Sequence, residues 1–369
     1  MVDDPKSGDG AWVTRSRIES LRGVKNPVDP WRPIDVIREV EPFWRPRRHD
    51  GRDATGGPVS PGHLVLPDRA DCVSVFLAGA ECAFRCSMCD LWRHTTDGPT
   101  PPGALPAQIR LALAKALPRP ELPRPELPRV ASDQTNPRWV KLYNSSNFFD
   151  PRCVPREDWD AIADLVSPYG RVIVENHPRM VGDDVGRFAT RIAGRLEVAM
   201  GLETVYEPSI RLLNKQMSLE DFERAAARLK SFGVDLRVFI LVQPPGMASG
   251  QGVGWAVESV RFARRCGARH ASLIATRGGN GMMESFSARG LFTPSRAECL
   301  EDALAESIRM GESMGDPMVV TADLWDFQRL AGLCDRCVEP RRRRLLEMNL
   351  SQRVLPPWES DCACRDESP

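Results

Sequence analysis

Three cysteines stand close together in the segment ECAFRCSMCDLW, at Cys82, Cys86 and Cys89. A structural zinc site takes four protein ligands in a closed tetrahedron, whereas a catalytic metal keeps one position open. Thiolates also favour iron–sulfur clusters, and a [4Fe–4S] cluster held by three cysteines leaves one iron free to bind another molecule. Three sulfurs without a matching fourth therefore favour a cluster with an open iron, and an incomplete zinc site is the alternative.

A second group of cysteines lies near the C-terminus, as Cys334-x-x-Cys337 and Cys362-x-Cys364. Two close pairs can complete a tetrahedral zinc site with four cysteine ligands, bind a second iron–sulfur cluster, or remain unpaired thiols. Spacing alone leaves these three alternatives open.

Composition predicts a folded cytosolic protein. The chain has 369 residues, of which 42% are hydrophobic and 27% charged, with a formal net charge of zero. Its N-terminus lacks the basic start and apolar run of a signal peptide, and no apolar stretch reaches the ~18 residues of a membrane span. Because thiols stay reduced in the cytosol, the cysteines are expected to be metal ligands and core residues rather than disulfides.

The elements that must position these cysteines follow an alternating pattern of short apolar runs and helical periodicity, which is typical of βα units around a parallel sheet. The predicted strands are 72–78, 139–144, 171–176, 196–203, 235–242 and 270–276. Apolar residues at helical spacing predict helices around Trp159–Val166 and Phe222–Leu229, the second beginning with a capping box of Ser218 and Asp221. The fold class is α/β, and we expect a partial (β/α)6 TIM-like barrel.

Three regions are predicted along the chain. Residues 1–69 form an N-terminal extension with one short helix-like piece at PIDVIREVEPFW, 70–325 form the barrel, and 326–369 form a small cysteine-containing segment. The repeat PRPELPRPELPR at 118–129 is expected to be an extended surface insertion of the barrel, because proline interrupts helices and central strands.

Polar residues follow several of the predicted strands. The cysteine segment follows the first strand, Asn144–Asn147 the second, Glu175 ends the third and Glu203 ends the fourth. Because the carboxyl ends of parallel strands share one face of a barrel, and that face carries the chemistry, these residues are expected to lie together.

Taken together, the motifs resemble a known family. The spacing Cys82-x-x-x-Cys86-x-x-Cys89 after a first barrel strand is similar to the cluster loop of the radical S-adenosylmethionine (SAM) enzymes. The segments VKLYNSSNFFDP, VENHP, GLET and LKSFGVDLRVFILVQPPG resemble the archaeosine-synthase radical SAM subunit and the elongator-type tRNA-modifying branch. The resemblance implies a [4Fe–4S] cluster on the three cysteines, with SAM bound at the free iron.

The resemblance also implies roles for other residues. Asn144, Ser145 and Ser146 occupy the place where many radical SAM enzymes have Gly-Gly-Glu, whose backbone receives the methionine amino group of SAM. Glu175 and Glu203 would grip the ribose or the methionyl end, although each could instead be a helix-cap or salt-bridge carboxylate. No residue is assigned as catalytic.

The implied activity is reductive cleavage of SAM to a 5′-deoxyadenosyl radical, with a tRNA base as the expected substrate and a separate protein as electron donor. A small metabolite or peptide is the alternative substrate, slightly favoured by the zero net charge, and a non-catalytic zinc-binding scaffold is the alternative of a different class. If a metal joins the late cysteines, Arg341–Arg344 would form a cationic ridge for tRNA phosphates, and a solvated face is the competing interpretation. The sequence leaves the oligomeric state open.

Overall fold

The computed structural model describes residues 11–44, 67–116, 138–314, 318–358 and 362 of the chain. The predicted insertion at 118–129 lies outside these ranges, and so does Cys364. Among the helices in the described ranges, none has both the length and the apolar character that a membrane span requires.

Within the described residues, eight strands form one sheet in which strands consecutive in the chain are neighbours in space. The strands are β1 (Asp35–Phe43), β2 (Asp68–Phe76), β3 (Arg138–Tyr143), β4 (Arg171–Glu175), β5 (Arg195–Glu203), β6 (Asp235–Val242), β7 (His270–Ala275) and β8 (Val319–Ala322). β1 runs antiparallel to β2, and every later neighbouring pair is parallel. This order is the one that consecutive βα units produce.

Helices connect the parallel strands, and within the described residues one further helix precedes the first strand of the sheet and one follows the last. They are α1 (Arg15–Ser20), α2 (Ala104–Ala116), α3 (Trp159–Val166), α4 (Asp183–Ala189), α5 (Glu207–Leu212), α6 (Leu219–Ser231), α7 (Gly252–Arg265), α8 (Met282–Ala288), α9 (Ala297–Met314) and α10 (Val338–Ser351). α3 and α6 are the two helices that apolar spacing predicts, and each buries its predicted stripe. The capping box that begins α6 is also confirmed, because the Asp221 amide donates to the Ser218 hydroxyl while the Asp221 carboxylate accepts from the Ser218 amide.

The six predicted strands correspond to β2–β7 and differ from them by at most four residues at an end. The predicted partial TIM-like barrel is therefore confirmed, with β1 and β8 as additional strands at the two sides of the sheet. β1 and the first residues of β2 fall inside the segment 1–69 that the sequence assigns to an extension.

The helix-like interpretation of PIDVIREVEPFW is wrong, because this segment contains the edge strand β1. Its β-branched residues Val36, Ile37 and Val40 favour extended backbone, and the strand pairs along its whole length with β2. Pro42 is compatible with this position, since an edge strand leaves one row of backbone groups without a ladder partner.

The sheet curves so that its inner face encloses a barrel. Glu41 of β1 forms buried ion pairs with Lys141 of β3 and with Arg237 of β6, the latter at 3.1 Å. Arg237 also pairs with Glu197 of β5 at 2.6 Å. Strands so far apart in the sheet order can share one buried cluster only if the sheet bends around it. Since Glu197 and Arg237 lie near the amino ends of their strands, this cluster fills the amino-terminal end of the barrel and leaves the opposite end for the site.

α10 closes the side of the barrel that the strands leave open. It packs against both β8 and β1, the two outermost strands of the sheet. The Asn349 side chain exchanges two hydrogen bonds of 2.8 Å with the backbone of Ala322, and the Gln352 side chain makes a similar pair with Val320 at 2.7 and 2.8 Å. These amides satisfy backbone groups at the free edge of β8, which would otherwise be open to pairing with another strand.

Candidate functional site

The predicted cysteine loop follows β2 and lies at the carboxyl end of the barrel. In the described part of the chain, the sulfurs of Cys82, Cys86 and Cys89 do not form a group within 4.8 Å of one another, the spacing that a single metal ion would need. Wider separation suits a cluster, which spreads its ligands around several iron atoms. Burial raises the pKa of all three thiols, that of Cys86 to about 11. A bound metal would have to offset this cost, because thiolates and not thiols are metal ligands.

Hydrogen bonds to three other parts of the chain hold the cysteine loop in place. The Asn280 amide donates to the carbonyl oxygens of Ser87 at 2.7 Å and of Cys89 at 3.4 Å. The Ser87 hydroxyl donates to the carbonyl of Leu212 at 2.8 Å. The Asn147 amide donates to the Cys82 sulfur at 3.1 Å, a contact that would favour the thiolate form.

The N-terminal segment also braces this loop, through charges. Glu81, beside the first cysteine, pairs with Arg22 at 2.5 Å and with Lys25 at 3.1 Å. Arg85, inside the loop, pairs with Glu19 of α1 at 3.0 Å. Residues 11–44 thus contact the loop directly.

Asn144, Ser145 and Ser146 form a tight turn after β3, with Ser145 in the left-handed region at a φ of 55°. The Glu175 carboxylate, at the end of β4, accepts the backbone amide of Ser146 at 3.3 Å and also interacts with the amides of Asn144 and Ser145. The structure therefore brings together the predicted turn and the predicted carboxylate. Burial raises the pKa of Glu175 to about 7, and the amides that bond to the charged form oppose the shift.

The Asn144 side chain is fully buried at this turn, and neither its amide nitrogen nor its oxygen has a hydrogen-bond partner among the described residues. Buried side-chain amides are almost always paired, and an unpaired one costs about 1–3 kcal/mol. A polar ligand beside the turn would satisfy both atoms. This observation supports a binding site at the place where the sequence predicts SAM.

Glu203, at the end of β5, forms a buried ion pair with Lys215 at 2.6 Å. A salt bridge is one of the two roles that the sequence leaves open for this residue. The carboxylate beside it raises the pKa of Lys215 against the desolvation that lowers it, so the ammonium group stays charged, and its charge acts on Cys86 and Cys82. A positive charge beside the cysteine loop would stabilise a negatively charged metal–thiolate group.

His177 is a residue of the site that the sequence does not single out as a ligand. Its ring stacks on Phe84 of the cysteine loop with centroids 3.6 Å apart. Its Nδ1 accepts the amide of Arg179 at 3.1 Å, so its Nε2 donates to the carbonyl of Lys215 at 2.8 Å. Burial lowers the pKa of His177 to about 3, and the neutral ring supports the loop rather than exchanging protons near neutral pH.

The sequence does not reveal Asn280 and Lys215 either, because both lie in loops and acquire their roles only through tertiary contacts. An isolated Lys or Asn in a loop has no local pattern that would mark it. His177 follows Glu175 closely at a strand end, so its position on the active face is the one available signal.

The C-terminal cysteines form a separate group. In the described ranges, Cys334, Cys337 and Cys362 are the residues that bring three ligand atoms within 4.8 Å of one another. The fourth predicted ligand, Cys364, lies outside the described residues.

The predicted cationic ridge at Arg341–Arg344 does not include all four arginines, because two of them are engaged inside the protein. Arg341 is 1% exposed and forms ion pairs with Glu301 at 2.7 Å and Glu298 at 2.8 Å, both on α9. Arg342 and Arg343 both pair with Glu339, and Arg344 donates to the carbonyls of Leu355 and Pro356. Arg341 is therefore unavailable to phosphates, whereas the side chains of Arg342 and Arg343 are 39% and 76% exposed, as the competing interpretation of a solvated face expects.

No family model matches the chain. The sequence is 25% identical over 321 residues to archaeosine synthase subunit beta of Methanosarcina acetivorans, covering 82% of this chain and 85% of that protein. A shorter match of 132 residues at 23% identity relates 34% of the chain to 35% of an uncharacterized protein of Methanocaldococcus jannaschii. Among solved structures, an N-terminally truncated Elp3 of Methanocaldococcus infernus has a TM-score of 0.42 at 13% identity, covering 57% of this chain and 55% of that one.

The overlap with Elp3 is partial, so the resemblance to a known family depends on the long sequence match and on the cysteine loop. The loop has the predicted spacing and follows the first parallel strand of the predicted barrel. These observations confirm the resemblance to the radical SAM enzymes that the sequence shows.

Proposed function

We propose that Cys82, Cys86 and Cys89 bind a [4Fe–4S] cluster, that SAM binds beside it at the turn 144–146, and that the enzyme modifies a tRNA base. The observation that carries the proposal is the cysteine loop at the carboxyl end of the barrel, beside a buried Asn144 without a partner among the described residues. When bound, the cluster would supply the electron that cleaves SAM into methionine and a 5′-deoxyadenosyl radical, which removes hydrogen from the substrate.

The residues of the chain have three tasks in this proposal. Asn147 and Lys215 favour thiolate at the cysteine loop, through a hydrogen bond to the Cys82 sulfur and a nearby positive charge. The turn 144–146 offers backbone and side-chain groups to the methionyl end of SAM, and Glu175 fixes the conformation of that turn. The apolar strands around the site exclude water, which protects a radical from side reactions.

The tRNA substrate is supported by the sequence segments that resemble tRNA-modifying enzymes and by the match to archaeosine synthase subunit beta. That relative is named as one subunit of a larger enzyme, so a partner protein is part of the proposal. An electron-donor protein is also required, because the cluster must be reduced for each cleavage of SAM.

A small metabolite or peptide remains the second candidate substrate. Two observations favour it: the net charge is zero, and the arginines 341–344 are engaged within the protein. A salt titration would separate the candidates, because binding to phosphates weakens steeply as salt increases. Binding of bulk tRNA that falls steeply between low and moderate salt supports the tRNA substrate, whereas no binding at low salt contradicts it.

The catalytic proposal is tested by anaerobic reconstitution with iron and sulfide, followed by incubation with dithionite and SAM and chromatography for 5′-deoxyadenosine. The wild type is expected to form this product, and Cys86→Ala to form none. Cys299→Ala is the matched control, because Cys299 is a half-buried cysteine on α9 away from the loop. Product formation by Cys86→Ala equal to that of the wild type would contradict the assignment.

A further inference from the structure

Two segments of the chain meet at the N-terminal end of α10 through three cysteines. Cys334 and Cys337 lie in the turn before the helix, where Cys337 is the N-cap residue, and Cys362 lies beyond the end of the helix. The Cys334 sulfur is 3.7 Å from that of Cys337 and 3.4 Å from that of Cys362. Residues far apart in sequence thus place three sulfurs around one point.

The spacing of the sulfurs selects among the alternatives that the sequence leaves open. A disulfide needs about 2.05 Å between sulfurs, which neither pair approaches. Zinc–sulfur bonds of about 2.3 Å in a tetrahedron place ligand sulfurs about 3.8 Å apart. The observed separations lie close to that figure, and all three sulfurs lie within 4.8 Å of one another. One ion fits between them, whereas an iron–sulfur cluster would need its ligands farther apart.

The backbone around Cys334 and Cys337 also suits thiolate ligands. The amide of Cys334 donates to the Cys337 sulfur at 3.2 Å, a contact that favours the charged form. The N-terminal end of α10 adds the positive end of a helix dipole beside Cys337.

The position of this group gives it a structural role. α10 fills the gap between β8 and β1, and its side chains satisfy the edge of β8. Arg344 donates to the carbonyls of Leu355 and Pro356, so the segment after the helix turns back along it toward Cys334. A metal ion on the three cysteines would fasten that returning segment to the turn before the helix.

We propose that Cys334, Cys337 and Cys362 bind one Zn²⁺ ion, which holds α10 in the gap between the first and last strands of the barrel. The site is separate from the cysteine loop at the carboxyl end of the barrel, and it does not depend on the proposed reaction. The prediction from sequence that Cys364 supplies a fourth sulfur stays a prediction.

The test is the metal content of the full-length protein, measured by mass spectrometry after anaerobic purification. The wild type is expected to carry about one equivalent of zinc in addition to iron. Cys86→Ala should lose iron and keep zinc, whereas Cys362→Ser should lose zinc and keep iron. Cys299→Ser, outside both groups, should keep both metals.

Three outcomes would overturn the proposal. They are a wild type without zinc, a Cys362→Ser variant with a full equivalent of zinc, and a Cys86→Ala variant that contains iron but no zinc. If Cys362→Ser is not recovered in folded form, the wild type itself decides the question. Cobalt exchanged for zinc should produce thiolate-to-cobalt absorption bands and d–d bands of a tetrahedral site, and their absence counts against a thiolate-bound ion.

Thermal unfolding with and without zinc tests whether the ion stabilises the position of α10. Removing zinc with a chelator should lower the Tm of the wild type, because an ion bound only to the folded state stabilises it. The same chelator should leave the Tm of Cys334→Ser unchanged. A wild-type Tm that does not change when zinc is removed would contradict the fastening of α10.

Discussion

At the scale of single residues, the site is defined by polar groups that the fold buries without fully satisfying. Asn144 is fully buried without a partner among the described residues, and Glu175 is a carboxyl group with a raised pKa. Both lie at the turn 144–146. Functional sites commonly carry such local costs, because a bound ligand compensates for them.

The role of Asn144 predicts opposite effects on binding and on stability. Asn144→Ala should weaken the binding of SAM to the reconstituted enzyme by about tenfold, the equivalent of one or two hydrogen bonds. The Tm of the ligand-free variant should equal or exceed that of the wild type, because the substitution removes an unpaired buried amide. Calorimetric titration with SAM and thermal unfolding measure the two effects. Unchanged affinity for SAM together with a lower Tm would show that the side chain is structural.

The raised pKa of Glu175 predicts a pH dependence of stability. The folded protein holds the proton on Glu175 up to about pH 7, whereas the unfolded chain releases it near 4.5. The folded state therefore binds more protons across this interval, and the contribution of Glu175 to stability falls as pH rises from about 4.5 to 7. Glu175→Gln should remove that contribution. The Tm of Glu175→Gln minus the Tm of the wild type should therefore increase as pH rises from about 4.5 to 7.

The control for Glu175 is Glu207→Gln, at an exposed position on α5. Its Tm should follow the wild-type Tm at each pH. A constant difference in Tm between Glu175→Gln and the wild type from pH 4.5 to 7 would contradict the assignment.

At the scale of elements, α10 shows how far a local pattern can mislead. The run Arg341–Arg344 has the composition of a phosphate-binding segment, and its spacing does not show which arginine faces inward. The carboxylates Glu298 and Glu301 of α9 decide that, because they pair with Arg341 in the interior. The burial of the Arg341 charge thus depends on Glu298 and Glu301, about forty positions earlier in the chain, and no local pattern reveals it.

This arrangement predicts unequal effects of substitutions within α10. Arg341→Ala should lower the free energy of unfolding by about 3–5 kcal/mol, because it leaves carboxylates near the interior without their partner. Arg342→Ala and Arg343→Ala should each cost less than about 1 kcal/mol, since their pairs with Glu339 are exposed to solvent. Urea unfolding of the three variants measures the difference. Equal losses at the three positions would contradict the structure of α10.

Some strands can also be predicted from their own residues, whereas others depend on contacts with distant parts of the chain. β2–β7 are predictable because buried parallel strands are continuous apolar runs bounded by polar residues. β1 is not predictable in this way, because the pattern of a short amphipathic segment fits a helix or a strand. Its pairing with β2 makes it a strand. β8 is only four residues long and gives too little pattern to detect.

At the scale of the whole molecule, the two ends of the barrel differ in what they contain. The amino-terminal end is filled by the ion pairs of Glu41, Glu197 and Arg237, while the carboxyl end carries the cysteine loop and the turn 144–146. The cysteine loop is predictable from sequence, because its three cysteines lie within eight residues. Lys215, His177 and Asn280 are not, because they reach the loop only after the barrel has formed.

The most direct test of the central claim is electron paramagnetic resonance of the reconstituted enzyme, reduced without oxygen and measured with and without SAM. A cluster held by three cysteines has one iron open to a ligand. We therefore expect the signal of a reduced [4Fe–4S] cluster that changes when SAM is added and is missing in Cys86→Ala. A wild-type protein without this signal, or with a signal that SAM leaves unchanged, would contradict the proposed site.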